Sequence, residues 1–374
     1  MIDLYLGSIA LRALAAGWLI ACGLLCSIRL ARWLVPEADA VLRWSTIFSV
    51  GTWLSTIGFH ALFALHAFQL GFALLAGSVA LMIAIVASPA HDPLGRLLRR
   101  ERRAIGAIAR SVRRGRYFAI WCVFGVFAAP LALRAFVIPP LGWDTLTYHA
   151  PRAAQWVQAH RFTFDQGVGS YDFYRHFFSG GEVLMAWAML PFHSDLLANL
   201  ASVAQWIGVG LSSWALARAI GLKEPFASTS AAMIMFAPTM QSEVNSGYVE
   251  LPLDAALLQG IALALHCLRR PRIGAVVACA MALGVATGIK LPAAPPAAIF
   301  ALLVAFRLVR AHELTPARRS IALGLCALVV LAPAAPWMLR AWIDTGYPLS
   351  PLPIDLLGHK LGVASAMVRW YGER

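Results

Sequence analysis

The chain has 374 residues, 60% of them hydrophobic and 13% charged, with a mean hydropathy of +0.70. A soluble domain carries about 45–50% apolar and about 25% charged residues, so this composition excludes an ordinary water-soluble globule and indicates a polytopic membrane protein. The formal net charge of +13 invites a nucleic-acid reading, but the arginines sit in short loops between apolar stretches, as the positive-inside rule expects, so no nucleic-acid partner is inferred.

In the bilayer each span must satisfy its own backbone hydrogen bonds, so the spans are expected to be helices. The weakly alternating ten-residue strands of an outer-membrane barrel are not seen. Apolar stretches near 20 residues match about 30 Å of hydrocarbon. In chain order the predicted spans cover 4–28, 44–64, 66–88, 118–138, 195–217, 227–241, 249–268, 273–289, 291–308 and 320–339. Residues 1–30 open with an acidic Met-Ile-Asp and lack a basic leader, which predicts a retained first span rather than a removed signal peptide.

Arg29, Arg32 and Arg43 follow the first span and mark the inner side. Segment 89–117 carries arginines at 96, 99, 100, 102, 103, 110, 113, 114 and 116 and is expected inside as well. Two readings of it stand: an amphipathic helix on anionic lipid, or a solvated positive-inside loop. Span 118–138 then runs outward, leaving 139–180 on the outer side. One crossing, 195–217, reaches the next inner markers, Arg218 and Lys223. The apolar piece 182–192 is too short to cross and would invert the later arginines, so it reads as an interfacial or re-entrant helix of the outer loop. Arg269, Arg270, Arg272, Arg307, Arg310, Arg318 and Arg319 fall inside; loop 242–248, Lys290 and the segment after Trp342 fall outside. Proline-rich 292–296 is expected to disturb the start of its helix.

Cys22, Cys26, Cys122, Cys267, Cys279 and Cys326 all lie in apolar stretches without metal or disulfide spacing, and read as small core residues. His60, His66 and His266 read as core histidines, and Trp33, Trp44 and Trp53 as interfacial belt or core. No HExxH or His/Cys set at zinc spacing occurs.

The chemistry collects on the outer side. Residues 141–162 hold Asp144, Tyr148, His149, Arg152, Trp156, His160 and Arg161 directly after an apolar span. Ionisable residues at such a place are a functional-site hypothesis by default. Asp165, Asp172, Arg175, His176 and Glu182 follow in the same loop; Glu243, Asn245, Tyr248, Glu250 and Asp254 come from the next outer segment, then Lys290, Arg340, Asp344 and Tyr347. Pro151 suits the first turn of a helix running to about 160, with Arg152 and Trp156 on one face. This mixture suits an anionic, partly apolar ligand with a polar head. Arginines and a lysine can hold phosphate, aromatic rings can stack on a sugar or prenyl chain, and a carboxylate can take a proton from a hydroxyl. Each residue also has a structural reading: Asp144 as a helix cap, His149 as a structural hydrogen-bond partner, Arg152 as the partner of a loop carboxylate, Glu250 and Asp254 as interface-solvated acids, and Lys290 as a snorkelling lysine.

GWDTLTYHAPRAAQWVQ resembles the WDxxTYHxPRxxxW signature in the first outer loop of bacterial GT-C glycosyltransferases, membrane enzymes related to protein mannosyltransferases and lipid A sugar transferases. GYVELPLDAALL (247–258) is similar to a second outer segment of that class, with Glu250 where an Asp is usual. ATGIKLPA (286–293) is similar to its GxKxxA turn. PWMLRAWIDTGYPLSPL (336–352) is similar to its PWxxRNxxxTGNPxYP segment, with Ala341 in place of Asn and Tyr347 in place of the Asn of TGNP. The resemblance covers roughly 118–352.

The resemblance implies an all-α polytopic fold of about ten transmembrane helices with a large outer first loop, 139–194. It divides the chain into N-terminal helices and a basic loop (1–117), a catalytic membrane core (118–352) and a tail (353–374). It implies transfer of a sugar, with inversion, from a polyprenyl-phosphate donor to a glycan, lipid or protein acceptor on the periplasmic side of a bacterial inner membrane. Asp144 would be the catalytic carboxylate; Tyr148, His149, Arg152, Trp156, Glu250, Lys290 and Arg340 would bind substrate, with Lys290 and Arg340 on the donor phosphate. A divalent cation at Asp144 with a second carboxylate enters only through this resemblance. A lipid or solute transporter, or a non-enzymatic membrane assembly protein, would use the same charged outer face; no internal repeat of the transporter type is evident.

Overall fold

The computed structural model describes residues 2–87, 94–113, 118–160, 174–311, 315–350, 354–356 and 359–361. Arg114, Arg116, Arg161, Asp165 and Asp172 lie outside the described residues. Among the described residues the chain is helical apart from a short antiparallel pair, β1 (Ile354–Leu356) with β2 (His359–Leu361). The helices are α1 (Ile2–Leu34), α2 (Ala40–Ala64), α3 (Leu70–Val86), α4 (Leu94–Arg113), α5 (Phe118–Val137), α6 (Ala150–Ala159), α7 (Gly180–Met189), α8 (Ala198–Ala219), α9 (Phe226–Met235), α10 (Pro238–Glu243), α11 (Glu250–Arg269), α12 (Ile273–Ile289), α13 (Ala294–Val309), α14 (Pro316–Leu331) and α15 (Ala335–Thr345).

Six of these segments are long and apolar enough to cross a membrane: Ser8–Leu34, Ala40–Ala64, Phe118–Val137, Ala198–Ala219, Glu250–Arg269 and Leu291–Val309. The pair α14 and α15, bent by 63°, makes a seventh if taken as one broken span. The chain is a multi-pass helical membrane protein.

Three expected spans differ in the structure. The apolar run 227–241 is not one helix: α9 stops at Met235 and α10 restarts at Pro238. Ala237, held at φ −57° and ψ 138°, takes the extended backbone that a following proline favours. Ten residues rise only about 15 Å, half the hydrocarbon thickness. The run 320–339 breaks between Leu331 and Ala335, where Pro333 and Pro336 remove helix donors. The third expected span starts late, at Leu70. His66 lies before it at φ +53° and is exposed, so it is not a core residue, whereas His60 is buried, edge-on to Trp337 with ring centroids 5.1 Å apart.

The centre of the bundle is α12, buried on nearly all sides, as expected of a helix that is apolar all round. Gly284 and Gly288 are the small residues that let the α14–α15 junction approach: a Cβ on Gly288 would lie 2.8 Å from Pro333. Buried amides cross-link the spans, with Gln205 Nε2 donating to Thr52 Oγ1 at 3.2 Å and Gln259 Nε2 to Thr46 Oγ1 at 2.9 Å.

The bundle has two polar ends. At one, Arg32 and Arg43 meet Glu101, Arg218 meets Asp39, and Arg270 and Arg272 meet Glu37. These are the arginines expected inside. The other end gathers the end of α5, the loop before α6, α6, α7, the starts of α8 and α11, and the end of α12. Asn199 Nδ2 donates there to the Ile138 carbonyl, and Asn245 Nδ2 to that of Leu131.

Candidate functional site

The site begins where α5 ends. Gly142 N–H donates to the Ser246 carbonyl at 2.9 Å, and Trp143 N–H donates to Tyr248 Oη at 3.0 Å. The segment entering α6 is thereby clasped to loop 246–248. Gly247 sits in the left-handed region at φ +77°, and a Cβ there would lie 2.5 Å from Pro140 and 2.7 Å from Thr145, so the clasp requires glycine.

After the clasp a π-helical turn, Thr145–His149, leads into α6, with Pro151 in its first turn. Such turns are rare and recur at functional sites. Asp144 precedes the turn, is half-buried and makes no capping bond with its side chain, so the capping reading gains no support. Its Oδ2 instead accepts from Tyr148 Oη at 3.4 Å. Burial, then the charges of Asp144 and Glu182, push the Tyr148 phenol far above its ordinary value, so it stays protonated and donates. Tyr148 stacks on Tyr174 with centroids 4.3 Å apart and planes 12° from parallel.

Below this rim lies a buried charged knot. Glu182 Oε1 is 2.9 Å from His149 Nδ1 and accepts from Arg152 Nη1 at 3.2 Å. Arg152 also donates to Ser179 Oγ at 2.5 Å and to the Tyr174 carbonyl at 2.6 Å. Burial alone would raise the Glu182 carboxyl, but His149 and Arg152 outweigh it and hold the group below its ordinary value. Arg152 is 2% exposed, so its bond to a loop carboxylate is the reading the geometry favours. Trp156 is 0% exposed and stacks on Trp337 at 5.8 Å within a cluster including Phe59 and Phe63, where it forms core.

The start of α7 draws the parts together. A Cβ on Gly180 would lie 2.7 Å from the Gly288 carbonyl, two residues before Lys290; Gly181 packs on Val249, beside Glu250; and Glu182 bonds His149. Lys290 Nζ bonds Glu250 Oε1, both side chains about a third exposed. Burial and then the charge of Glu250 raise the nearby Glu243 carboxyl. A further cluster joins α15 to the loop before α7. Asp344 Oδ2 lies 3.2 Å from Arg340 Nε, 3.3 Å from His176 Nε2 and 3.8 Å from Arg175 Nη2. Burial lowers the His176 imidazole, and the neighbouring Arg340 adds to the effect.

The eight expected site residues thus divide. Asp144, Tyr148, His149 and Arg152 form one assembly through Glu182; Glu250 and Lys290 pair; Arg340 joins Arg175, His176 and Asp344; Trp156 belongs to the core beneath. Glu182 and Tyr174 are additional residues on which the assembly depends. A readable signal for Glu182 was its place at the head of an apolar segment too short to cross, where a carboxylate must find partners. Asp144 is bonded to Tyr148 and Glu182 is held by His149 and Arg152. Among the described residues no group of three or more His, Cys, Asp or Glu side chains is placed to hold a metal ion.

No known family model, characterised protein or solved structure matches this chain.

Proposed function

We propose that the protein is a membrane glycosyltransferase of the GT-C type, with about ten membrane segments and its site on the periplasmic face of a bacterial inner membrane. It transfers a sugar from a polyprenyl-phosphate donor to a glycan, lipid or protein hydroxyl. The observation that carries this reading is Asp144, a half-exposed carboxylate that accepts a hydrogen bond from a protonated tyrosine directly after the clasp.

In the reaction, Asp144 accepts the proton of the acceptor hydroxyl. The hydroxyl oxygen forms a bond to the anomeric carbon as the bond from that carbon to the phosphate oxygen breaks, inverting the centre. The electron pair leaves with the polyprenyl phosphate. Arg340, with Arg175 beside it, and Lys290 stabilise the charge developing there. His149 and Arg152 position the turn that carries Asp144 and Tyr148 rather than touching substrate.

The test is transfer of radiolabelled sugar from polyprenyl phosphate to cell-envelope acceptors by the purified protein in lipid. Asp144→Asn is expected to lower transfer by about 10²–10⁴-fold, the usual contribution of a general base, while inserting normally. Full transfer by the variant removes Asp144 from the mechanism. Absence of transfer by the wild type, with labelled donor moved intact between leaflets, would establish a transporter instead.

A further inference from the structure

Helix α4 lies at the end of the bundle opposite the clasp and takes no part in the proposed reaction. Its twenty residues hold seven arginines and one acid, Glu101. Glu101 is buried and faces inward, bonded by Arg32 Nε at 2.5 Å with Arg43 Nε 3.7 Å away. Leu97 and Ala104 are buried on the same side, Leu97 in a cluster with Ile28, Ala31 and Ile47, while Ile108 and Val112 pack on the main core. Positions 97, 101, 104, 108 and 112 recur at helical spacing, so they form one docked stripe that fixes the rotation of the helix.

That rotation leaves two exposed surfaces. Leu98 and Ile105, two turns apart on one flank, are 47% and 50% exposed. Arg99, Arg102, Arg103, Arg110 and Arg113 are exposed on the remaining circumference. An apolar flank beside a basic back, at the end of the bundle where the other inward arginines gather, is the arrangement of a helix lying in a membrane interface. A nucleic acid would use the arginines and leave Leu98 and Ile105 in water.

We propose that α4 is a binding site for anionic phospholipid headgroups. The five arginines engage headgroup phosphates, Leu98 and Ile105 sit among the upper acyl carbons, and Glu101 fastens the helix to α1 and α2 through Arg32 and Arg43. The site is independent of what the outer clasp catalyses.

The test is native mass spectrometry of the full chain in neutral detergent, titrated with phosphatidylglycerol or with phosphatidylcholine of equal chain length. The wild type should retain phosphatidylglycerol preferentially. Changing the five arginines together to Gln should weaken that retention by roughly tenfold or more, given the attraction of each basic residue to an anionic surface. The corresponding five-Lys variant should keep most of it, which separates charge loss from misfolding. Equal retention of both lipids overturns the proposal. So does an equal loss when Arg310 and Arg318 are neutralised instead, since any inward arginine would then serve. Tighter binding of a DNA duplex than of phosphatidylglycerol, unchanged by Leu98→Ser with Ile105→Ser, overturns it in favour of nucleic acid.

Discussion

The two polar ends of the bundle use the same residue types in different ways. At the arginine-rich end the pair Arg272–Glu37 is about half exposed on both sides, and Arg218–Asp39 is similar. At the clasp end Glu182, His149 and Arg152 are almost wholly buried and paired through Glu182 Oε1, with Arg152 also donating to Ser179 and the Tyr174 carbonyl. Charge that only has to remain on one side of a membrane can be left solvated. Charge taken out of water has to be paired, and the pairing has to be held by several elements at once. The second condition gives fixed geometry, and it is met beneath Asp144.

The sharpest way to break this contrast is Glu182→Ala, which leaves Arg152 and His149 buried without their carboxylate. Removing one partner of a buried pair costs about 3–5 kcal/mol. A large fall in thermal stability in detergent is therefore expected, and unfolding alongside the wild type would show that the knot holds nothing. The pH dependence has a definite sign. Glu182 is held below its ordinary value of 4.5, so its contribution is fully present above that value and is lost as pH falls through the lower folded-state value. The stability gap between wild type and Glu182→Ala should accordingly narrow only in acid below about 4.5. A gap that closes near neutrality would assign the titration to another group.

Local pattern made part of this legible in the sequence. The bond from Tyr148 to Asp144 and the pair Arg340–Asp344 join residues four apart, a spacing that brings helical side chains together. Pro151 correctly announced the start of α6. Arginines expected on one side do gather at one end of the bundle, because loop charge is a property of single segments. The contacts that make the site are of another kind: Glu182 lies 33 residues from His149 and 30 from Arg152, and Lys290 lies 40 from Glu250. Nothing local couples them; they meet because Gly180 and Gly181 let α7 close on Gly288 and Val249. The broken spans were hidden for the opposite reason. Residues 227–241 and 320–339 carry no charged residue and are mostly apolar, so composition read them as continuous, while Pro238, Pro333 and Pro336 decided the backbone.

Between the two extremes stands Glu101, nearly as buried as Glu182 but flanked by arginines that are 20% and 17% exposed. Glu101→Gln should cost about 1–3 kcal/mol, the range for removing a charged hydrogen bond from a partly wet site. It should also loosen α4, seen as faster amide exchange over residues 94–113. Glu37→Gln completes the series at the exposed limit. Its partners Arg270 and Arg272 are 72% and 53% exposed and keep water as an alternative. A solvent-exposed ion pair contributes about 0–1 kcal/mol and is screened by salt, so this variant should unfold almost with the wild type, and any difference should vanish at high ionic strength. A salt-independent loss as large as that of Glu101→Gln would mean that burial does not set the strength of these ion pairs.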